Sequence, residues 1–271
     1  MASKSSVVST MQYLAPMDAE PEVYFFEPDP GTTKNDPIPD RHDMHIQDAR
    51  GFEHDFTMDQ HGFEFAKIET EIDPFVERED VQNTYYPAVA ALVRRVVGAA
   101  HVHVFDHNYR SHVVNEVDTS SAKPVPWVHN DYTEKSAPQR IRDLLPEDEA
   151  ERRIEGRYAF INLWRPVAYT VEDSPLGVCA ASSLARDDLA TLALRYPERD
   201  GEIYFVRHNP NHQWYYLSKM RTDEALLLKC FDSDHVDRAC FSVHAAFEDP
   251  DCPPDARPRQ SIEARTIAFF D

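Results

Sequence analysis

Glycine and cysteine are scarce in this sequence, and each shortage excludes a class of architecture. With 7 glycines among 271 residues, the chain has neither a collagen-like repeat nor Gly/Ser-rich linkers. The four cysteines, Cys179, Cys230, Cys240 and Cys252, form no C-x-x-C pair. They are too few to hold a chain of this length together through disulfides. We therefore expect reduced thiols.

Basic residues are also few relative to acidic ones. Lys and Arg total 28 against 48 Asp and Glu, which gives a formal net charge of −20. Because binding to nucleic acid depends on Lys and Arg that neutralise phosphates, the sequence predicts no nucleic-acid partner, and an anionic membrane is disfavoured for the same reason. The opening residues lack an apolar signal-peptide core, and no long apolar run predicts a membrane span. These absences favour a cytoplasmic location.

Hydrophobic residues make up 42% of the chain, which is enough for one sizeable core. We predict a single domain over residues 1–271. Residues 1–55, rich in proline and polar residues, are predicted to form an extended arm that packs on this core. From about residue 101 onward, short aromatic and β-branched runs alternate with turn signals. They predict a sandwich or barrel built from many strands.

Three stretches favour helices. Residues 80–98 place valines and a leucine at helical spacing and end at Gly98, which is a common stop signal. A charged stretch that begins near Ser136 predicts a solvent-facing helix. A third helix is predicted over residues 182–196. Its apolar positions are Leu184, Leu189, Leu192 and Leu194. The predicted fold class is therefore mainly β with flanking helices.

The most informative motif is H-x-D at His129 and Asp131, preceded by Trp127. Side chains alternate between faces in an extended segment, so His129 and Asp131 point the same way and lie close enough to share one metal ion. A second imidazole from a distant strand would complete a 2-His-1-carboxylate triad, which leaves positions on iron(II) open for a 2-oxo acid and dioxygen. H-x-D also occurs by chance, as a surface histidine beside a turn-forming aspartate.

Four downstream histidines are candidates for the third ligand. We favour His244, because it lies in the apolar run CFSVHAAF, which predicts a buried strand. His212 and His235 lie in polar turns, and His208 is the remaining candidate. The alternative role for His244 is that of a core histidine satisfied by hydrogen bonds.

Other catalytic motifs are incomplete or absent. His101 and His103 share a strand face, as paired histidines do in a cupin, but no Gly-rich turn or glutamate ligand accompanies them. No G-x-S-x-G, P-loop or G-x-G-x-x-G occurs. The sequence therefore lacks the motifs that serine hydrolysis, phosphoryl transfer and Rossmann-type hydride transfer require.

The last predicted strand carries a polar face. Its residues Arg259, Ser261, Glu263 and Arg265 alternate with apolar ones. Arg259 and Ser261 suit the distal carboxylate of 2-oxoglutarate, because a guanidinium binds a planar carboxylate through two hydrogen bonds. Arg265 is a rival for this role, or it pairs with Glu263. Asn162 is predicted either to hydrogen-bond the 2-oxo acid or to cap a neighbouring backbone group.

Four residues are predicted to contact a small-molecule substrate. Arg110 and Arg165 offer guanidinium groups to a substrate carboxylate. Phe205 and Trp214 lie in aromatic runs that suit the wall of an apolar cavity, although such residues are more often part of the core.

The segments that contain these residues resemble a known family. The similarity is to the fungal and bacterial hydroxylase/desaturase family of 2-oxoglutarate-dependent oxygenases, which includes relatives of gibberellin desaturase and of enzymes of the aspergillic-acid and cephamycin pathways. It covers residues 48–65, 85–110, 128–146, 157–167, 230–250 and 258–270. The resemblance implies a double-stranded β-helix (jelly-roll) core that holds iron(II), with the family's ligands falling on His129, Asp131 and His244. Some members act on free amino acids, and one closes an aziridine ring on valine.

The leading hypothesis is oxidation of an unactivated C–H bond of a small, amino-acid-like precursor of a secondary metabolite. Hydroxylation, desaturation and C–N ring closure are its possible outcomes, and formation of an aziridine from valine is the specific hypothesis. Two alternatives stay open. One is an iron oxidase without a 2-oxo acid, in which Arg259 and Ser261 hold a substrate carboxylate. The other is a barrel that binds a small molecule without turnover.

Overall fold

The structure, a computed structural model, describes residues 5–73, 77–111 and 123–270. Within these residues, fourteen strands form two sheets. The strands are β1 (Ser6–Leu14), β2 (Glu22–Tyr24), β3 (Pro39–Asp48), β4 (Phe63–Lys67), β5 (His101–Ser111), β6 (His129–Asn130), β7 (Tyr158–Pro166), β8 (Leu176–Cys179), β9 (Leu189–Arg195), β10 (Asp200–Val206), β11 (Trp214–Tyr216), β12 (Glu224–Asp232), β13 (His244–Ala246) and β14 (Gln260–Phe269).

The two sheets differ in size and share an antiparallel design. The larger has nine strands in the order β1-β3-β11-β8-β13-β6-β10-β9-β2, and the smaller has five in the order β4-β12-β7-β14-β5. The pairs β3/β11 and β2/β9 are parallel, and the other pairs are antiparallel. Two curled sheets connected in this way form a jelly-roll core. The predicted fold class is confirmed.

The main hydrophobic core lies between the sheets. Phe63 and Leu228 of the five-stranded sheet meet Val178 and Tyr204 of the nine-stranded sheet there. A second core lies on the outer face of the five-stranded sheet. Because both faces are covered, every residue of β7 and β12 is buried, which explains the nearly continuous apolar runs in their sequences.

Helices cover the outside of this core. The predicted helix over residues 80–98 is confirmed as α1 (Arg78–Asp80), a π-helical turn (Val81–Tyr85) and α2 (Tyr86–Val97), and it ends at Gly98 in the left-handed conformation. The charged stretch forms two helices, α3 (Ser136–Leu144) and α4 (Glu147–Glu155). No helix in the described parts of the chain is long and apolar enough to span a membrane.

The helix predicted over residues 182–196 is wrong. Two short 3-10 turns, Ala181–Ser183 and Arg186–Asp188, precede β9 in that stretch. β9 pairs with β10 along its whole length, and alternate residues of its first half, Ala190 and Leu192, are buried. Pairing within the sheet therefore outweighs the helix preference of the leucines.

The segment predicted as an N-terminal arm supplies both edges of the nine-stranded sheet. β1 and β3 pair in register from Ser6↔Gln47 to Leu14↔Pro39, and β2 pairs with β9 at the opposite edge. An isolated bridge joins Gln12 of β1 to Trp127. This bridge places β1 beside the H-x-D motif.

Candidate active site

The three predicted metal ligands meet on the inner face of the nine-stranded sheet. β6 and β13 pair at His129↔His244, and the two ring centroids lie 4.4 Å apart. Asp131 follows β6 directly, and its Oδ1 lies 3.5 Å from Nε2 of His129. One ligand atom from each of the three side chains lies within 4.8 Å of the others. Among the described residues, this is the His/Cys/Asp/Glu group with that spacing, and its composition is that of a 2-His-1-carboxylate site.

Backbone carbonyls orient both imidazoles. Nδ1 of His129 lies 2.7 Å from the carbonyl oxygen of Trp127, and Nδ1 of His244 lies 3.4 Å from that of Ser242. In each ring Nδ1 carries the proton and donates it to the carbonyl, so the lone pair on Nε2 is available to a metal ion.

The charge state of the three side chains suits a divalent metal. Burial lowers the pKa of His129 to about 4 and also lowers the pKa of His244. Burial alone would raise the pKa of Asp131, but Arg265 and the two imidazoles, together with a hydrogen bond from Asn162, hold it below its ordinary value. Near neutral pH the group offers two neutral imidazoles and one carboxylate, which are the forms that bind metal.

The turn after β6 is fixed by Asn130, the middle residue of the motif. Its side-chain amide donates to the carbonyl oxygens of Tyr132, at 2.6 Å, and Cys230, at 2.8 Å. Cys230 belongs to β12 in the other sheet, so Asn130 ties the ligand turn across the core. These hydrogen bonds hold the carboxylate of Asp131 between the two sheets.

The five-stranded sheet faces this group with the polar side of β14. The register pairs Arg265 with Asn162 and Glu263 with Trp164, and directly opposed residues share a face. The predicted alternation along the last strand is confirmed for these positions and for Ser261. Polar side chains from β7 and β14 therefore border the metal-ligand group.

Arg265 is engaged by carboxylates. Its Nε lies 3.8 Å from Oδ2 of Asp131 and 3.4 Å from Oε1 of Glu263, and its Nη1 lies 3.4 Å from Oδ2 of Asp106. Burial and the neighbouring carboxylate of Asp131 raise the pKa of Glu263. Arg265 therefore offsets negative charge beside the metal-ligand group.

Arg259, Ser261 and Trp164 form what we call the distal cradle. All three are buried, and the Arg259 guanidinium carbon lies 5.4 Å from the centre of the Trp164 ring. Arg259 Nη1 donates to the Ser174 carbonyl oxygen. Arg259 Nε, Ser261 Oγ and Trp164 Nε1 are buried without a hydrogen-bond partner among the described residues.

The unpartnered donors of the distal cradle indicate a ligand. A buried donor without a partner costs about 1–3 kcal/mol, and such groups are rare in native proteins. Burial and the nearby Arg110 lower the pKa of Arg259 to about 9, which leaves the guanidinium protonated at neutral pH. A cation flanked by a hydroxyl and an indole N–H fits a carboxylate.

A cavity of about 510 Å³ opens onto the metal-ligand group. It is lined by His129, Asp131 and Arg265 and also by Arg110 and Phe205. Phe205 is paired with His129 in the sheet and stacks on Trp127, with ring centroids 4.7 Å apart. Further apolar walls come from Val23, Phe105, Leu192, Leu194 and Ile203. Two of the four predicted substrate contacts, Arg110 and Phe205, thus border the cavity.

The structure does not bring the other two predicted substrate contacts, Arg165 and Trp214, to this cavity. Arg165 is on the opposite face of β7 from Asn162, where its Nη1 donates to the Thr70 carbonyl oxygen at 2.7 Å. Trp214 is paired with Cys179, the neighbour of the inward-facing Val178. Because neighbouring residues of a strand point to opposite faces, Cys179 points outward, and Trp214, directly opposite Cys179, does so too. The indole of Trp214 therefore lies on the outer face of the nine-stranded sheet.

The rival histidines lie elsewhere. His212 is held between Asp188, 3.1 Å from its Nε2, and Tyr13, 3.2 Å from its Nδ1. The ring of His208 stacks on His42 at 3.6 Å, and Nδ1 of His235 lies 3.1 Å from the Asp232 carbonyl oxygen. His101 and His103 lie on β5, outside the metal-ligand group.

Trp164 is the residue of this region that the sequence prediction missed. The signal was present, because Trp164 is two residues from Asn162 and so shares its strand face. A buried indole N–H normally has a partner. A tryptophan on a face already predicted to hold polar ligands is therefore a candidate donor.

The jelly-roll fold and the His-Asp-His group define the class of non-haem iron(II) oxygenases. A family described as "Oxidoreductase/YMDC permease-like domain" matches residues 11–269. The Fe(II)/2-oxoglutarate-dependent dioxygenase nvfI of Aspergillus novofumigatus is 34% identical over 280 residues, which cover 99% of each chain. The hydroxylase/desaturase CTB9 of Cercospora beticola is 34% identical over 250 residues, which cover 84% of this chain and 76% of that protein.

A solved structure is similar throughout. That of the iron and alpha-ketoglutarate-dependent endoperoxidase NvfI matches with a TM-score of 0.86 at 32% identity and covers 98% of each chain. The chain belongs to the hydroxylase/desaturase family of Fe(II)/2-oxoglutarate-dependent dioxygenases. It is an oxidoreductase whose cofactors are Fe(II) and 2-oxoglutarate and whose co-reactant is dioxygen.

Proposed function

We propose that His129, Asp131 and His244 bind Fe(II), that the distal cradle binds the far carboxylate of 2-oxoglutarate, and that a C–H bond of a substrate in the cavity is oxidised. The observation that carries this proposal is that ligand atoms of the three side chains lie within 4.8 Å of one another, beside a cavity that His129 and Asp131 line. When bound, iron with 2-oxoglutarate and dioxygen supplies the oxidising power. The residues supply binding and orientation.

The structure favours Arg259 over Arg265 as the cosubstrate residue. The groups that surround Arg265 include the carboxylates of Asp131, Glu263 and Asp106, which compete with any incoming carboxylate. The side chain of Arg259 contacts the Ser174 carbonyl oxygen and the Trp164 ring, and its Nε, like that of Arg265, has no hydrogen-bond partner within the described chain. A carboxylate at Arg259 meets a cation whose burial already lowers its pKa, so a charge-assisted hydrogen bond there stabilises both groups.

The cavity favours an apolar substrate of intermediate size. Its volume of about 510 Å³ lies within the range of roughly 300–1,000 Å³ that is typical of pockets for drug-sized ligands. Most of its walls are aliphatic or aromatic, and the stacked pair Trp127 and Phe205 stands beside His129. We infer that these rings place one C–H bond of the substrate toward the metal. The position of that bond then decides between hydroxylation, desaturation and ring closure.

A free amino acid is the second candidate substrate, and Arg110 is the observation that favours it. Its guanidinium on the cavity wall suits an amino-acid carboxylate. Valine, with an aziridine as product, is the specific candidate within this class. Valine fills little of the cavity, so we rank it second.

Substrate-stimulated turnover separates the two candidates. Iron-loaded protein is incubated with 2-oxoglutarate, dioxygen and either valine with its homologues or a panel of apolar multi-ring metabolites, and succinate and product masses are measured. We expect the apolar panel to stimulate succinate release. Loss of two hydrogens from valine would instead establish the amino-acid reaction. If neither panel raises succinate above that of Asp131→Ala, the proposed function is contradicted.

A further inference from the structure

Asn162 contacts the metal-ligand carboxylate directly. Its side-chain nitrogen donates to Oδ2 of Asp131 at 2.7 Å and lies 3.3 Å from Oε1 of Glu263. The residue is fully buried on β7. Both neighbours of the nitrogen are carboxylate oxygens, which are acceptors, so the amide nitrogen rather than the amide oxygen must face them.

The two oxygens of Asp131 are therefore in different surroundings. Oδ2 accepts from Asn162 and lies 3.8 Å from Nε of Arg265. Oδ1 is directed to the other side, 3.5 Å from Nε2 of His129. The side chains of Asn162 and Arg265, both from the five-stranded sheet, thus lie beside Oδ2 of Asp131. Oδ1 of Asp131 is left facing the imidazole of His129.

We propose that Asn162 is a positioning residue that restricts Asp131 to binding metal through Oδ1 alone. This inference rests on the proposed function. A carboxylate that binds through both oxygens would occupy an additional coordination position, whereas a 2-oxo acid needs two open positions and dioxygen a third. By holding Oδ2, Asn162 keeps these positions open.

The same geometry argues against a direct contact between Asn162 and 2-oxoglutarate. Its nitrogen is already directed at two carboxylates, and the atom that is left without a partner among the described residues is Oδ1. An amide oxygen is an acceptor and cannot hydrogen-bond a carboxylate or keto oxygen. Asn162 therefore acts on the cosubstrate through Asp131.

Two variants of Asn162 test this role, with metal binding measured apart from turnover. Asn162→Leu removes the donor, and Asn162→Asp keeps the shape but places an acceptor against Oδ2. Co(II) and Fe(II) affinities are measured anaerobically without 2-oxoglutarate, together with the visible spectrum of the Co(II) complex, which reports coordination number. Far-UV circular dichroism confirms that each variant is folded.

We expect both variants to weaken metal binding roughly 10–100-fold, as is typical when a residue that orients a metal ligand is lost. The Co(II) spectrum should also change, most in Asn162→Leu, where Asp131 is free to bind through both oxygens. The matched control is Arg259→Leu, which should leave metal affinity and spectrum unchanged and weaken 2-oxoglutarate alone.

Three outcomes overturn the inference while leaving the proposed function intact. The first is a folded Asn162→Leu variant that binds metal like wild type but loses 2-oxoglutarate, which would make Asn162 a cosubstrate ligand. The second is a folded pair of variants with wild-type metal affinity and spectrum. The third is weaker metal binding with an unchanged Co(II) spectrum, which would indicate a purely structural role. Failure of the wild-type protein to bind iron would contradict the proposed function itself.

Discussion

The two sheets contribute to the site in different ways. The nine-stranded sheet supplies His129 and His244 from its short strands β6 and β13, and each ring is oriented by a backbone carbonyl two residues earlier. The five-stranded sheet supplies side chains from the long strands β7 and β14, and these interact with one another across strands. The two histidine ligands are thus oriented by backbone groups close to them in the sequence. The polar side chains that surround the metal-ligand group are instead placed by the register between β7 and β14.

This difference suggests separable functions. Changes on the nine-stranded side should remove metal. Changes on the five-stranded side should alter cosubstrate binding or the coordination of the metal, and should leave a metal site in place.

Loss of a metal ligand should have the largest effect. We expect His129→Ala, Asp131→Ala and His244→Ala each to abolish turnover and to weaken Fe(II) binding by more than the roughly 10–100-fold that is typical of residues that only support a ligand. Equilibrium dialysis with metal analysis measures the binding. His235→Ala, a histidine outside the group, is the control and should bind iron normally. If His235→Ala lost iron and His244→Ala kept it, the assignment of the third ligand would be wrong.

The pH dependence of stability tests the burial of His129, on the nine-stranded sheet, without any substitution. The pKa of His129 is about 4 in the folded protein because of burial and near 6.5 when unfolded, so the unfolded chain binds more protons between these values. Stability of the metal-free protein is therefore fully present above about pH 6.5 and declines as the pH falls toward 4, by on the order of 3 kcal/mol from this group. Urea unfolding at several pH values measures it. His129→Gln should show a weaker decline, and an equally steep decline would exclude His129 as its source.

On the five-stranded side, Arg259→Leu should weaken 2-oxoglutarate binding. Loss of a charge-assisted hydrogen bond costs about 1.5–3 kcal/mol, or roughly 10–150-fold in dissociation constant. Titration of metal-loaded protein with 2-oxoglutarate measures it. Arg165→Leu is the matched control, since Arg165 is equally buried but on the outer face. If Arg265→Leu alone weakened 2-oxoglutarate while Arg259→Leu did not, the roles of the two arginines would have to be exchanged.

Trp164→Phe should have the smallest effect. It removes one neutral hydrogen bond, which contributes about 0.5–1.5 kcal/mol, so 2-oxoglutarate should bind roughly 2–12-fold more weakly. Metal affinity should not change. An unaltered 2-oxoglutarate affinity would remove Trp164 from the distal cradle and leave Arg259 and Ser261 as its members.

The same contrast explains what the sequence could predict. H-x-D was informative because alternation along one short segment decides that His129 and Asp131 lie together, with no knowledge of the rest of the fold. The apolar residues around His244 predict it as the third ligand, because they indicate burial, and this signal is also local. The structure places these three side chains together.

Features that depend on pairing between strands were harder to predict. Alternation along β7 already put Arg165 opposite Asn162, yet only the packing of α2 on the outer face shows which side is away from the cavity. For Trp214 no local pattern distinguishes the inner from the outer face of a strand that is covered on both sides. The leucine spacing within residues 182–196 is typical of a helix. Residues of this stretch form strand β9 because they pair with β10, and the spacing of residues within the stretch does not reveal that pairing.

A crystal structure with Mn(II) and 2-oxoglutarate, grown without oxygen, would show which side chains bind the metal ion and the cosubstrate. We expect one metal ion bound by Nε2 of His129, Nε2 of His244 and Oδ1 of Asp131, with Oδ2 still hydrogen-bonded to Asn162. We also expect the distal carboxylate of 2-oxoglutarate to lie on Arg259, Ser261 and Trp164. A metal ion held by other residues, or a 2-oxoglutarate whose distal carboxylate lies on Arg265, would show that these assignments are wrong.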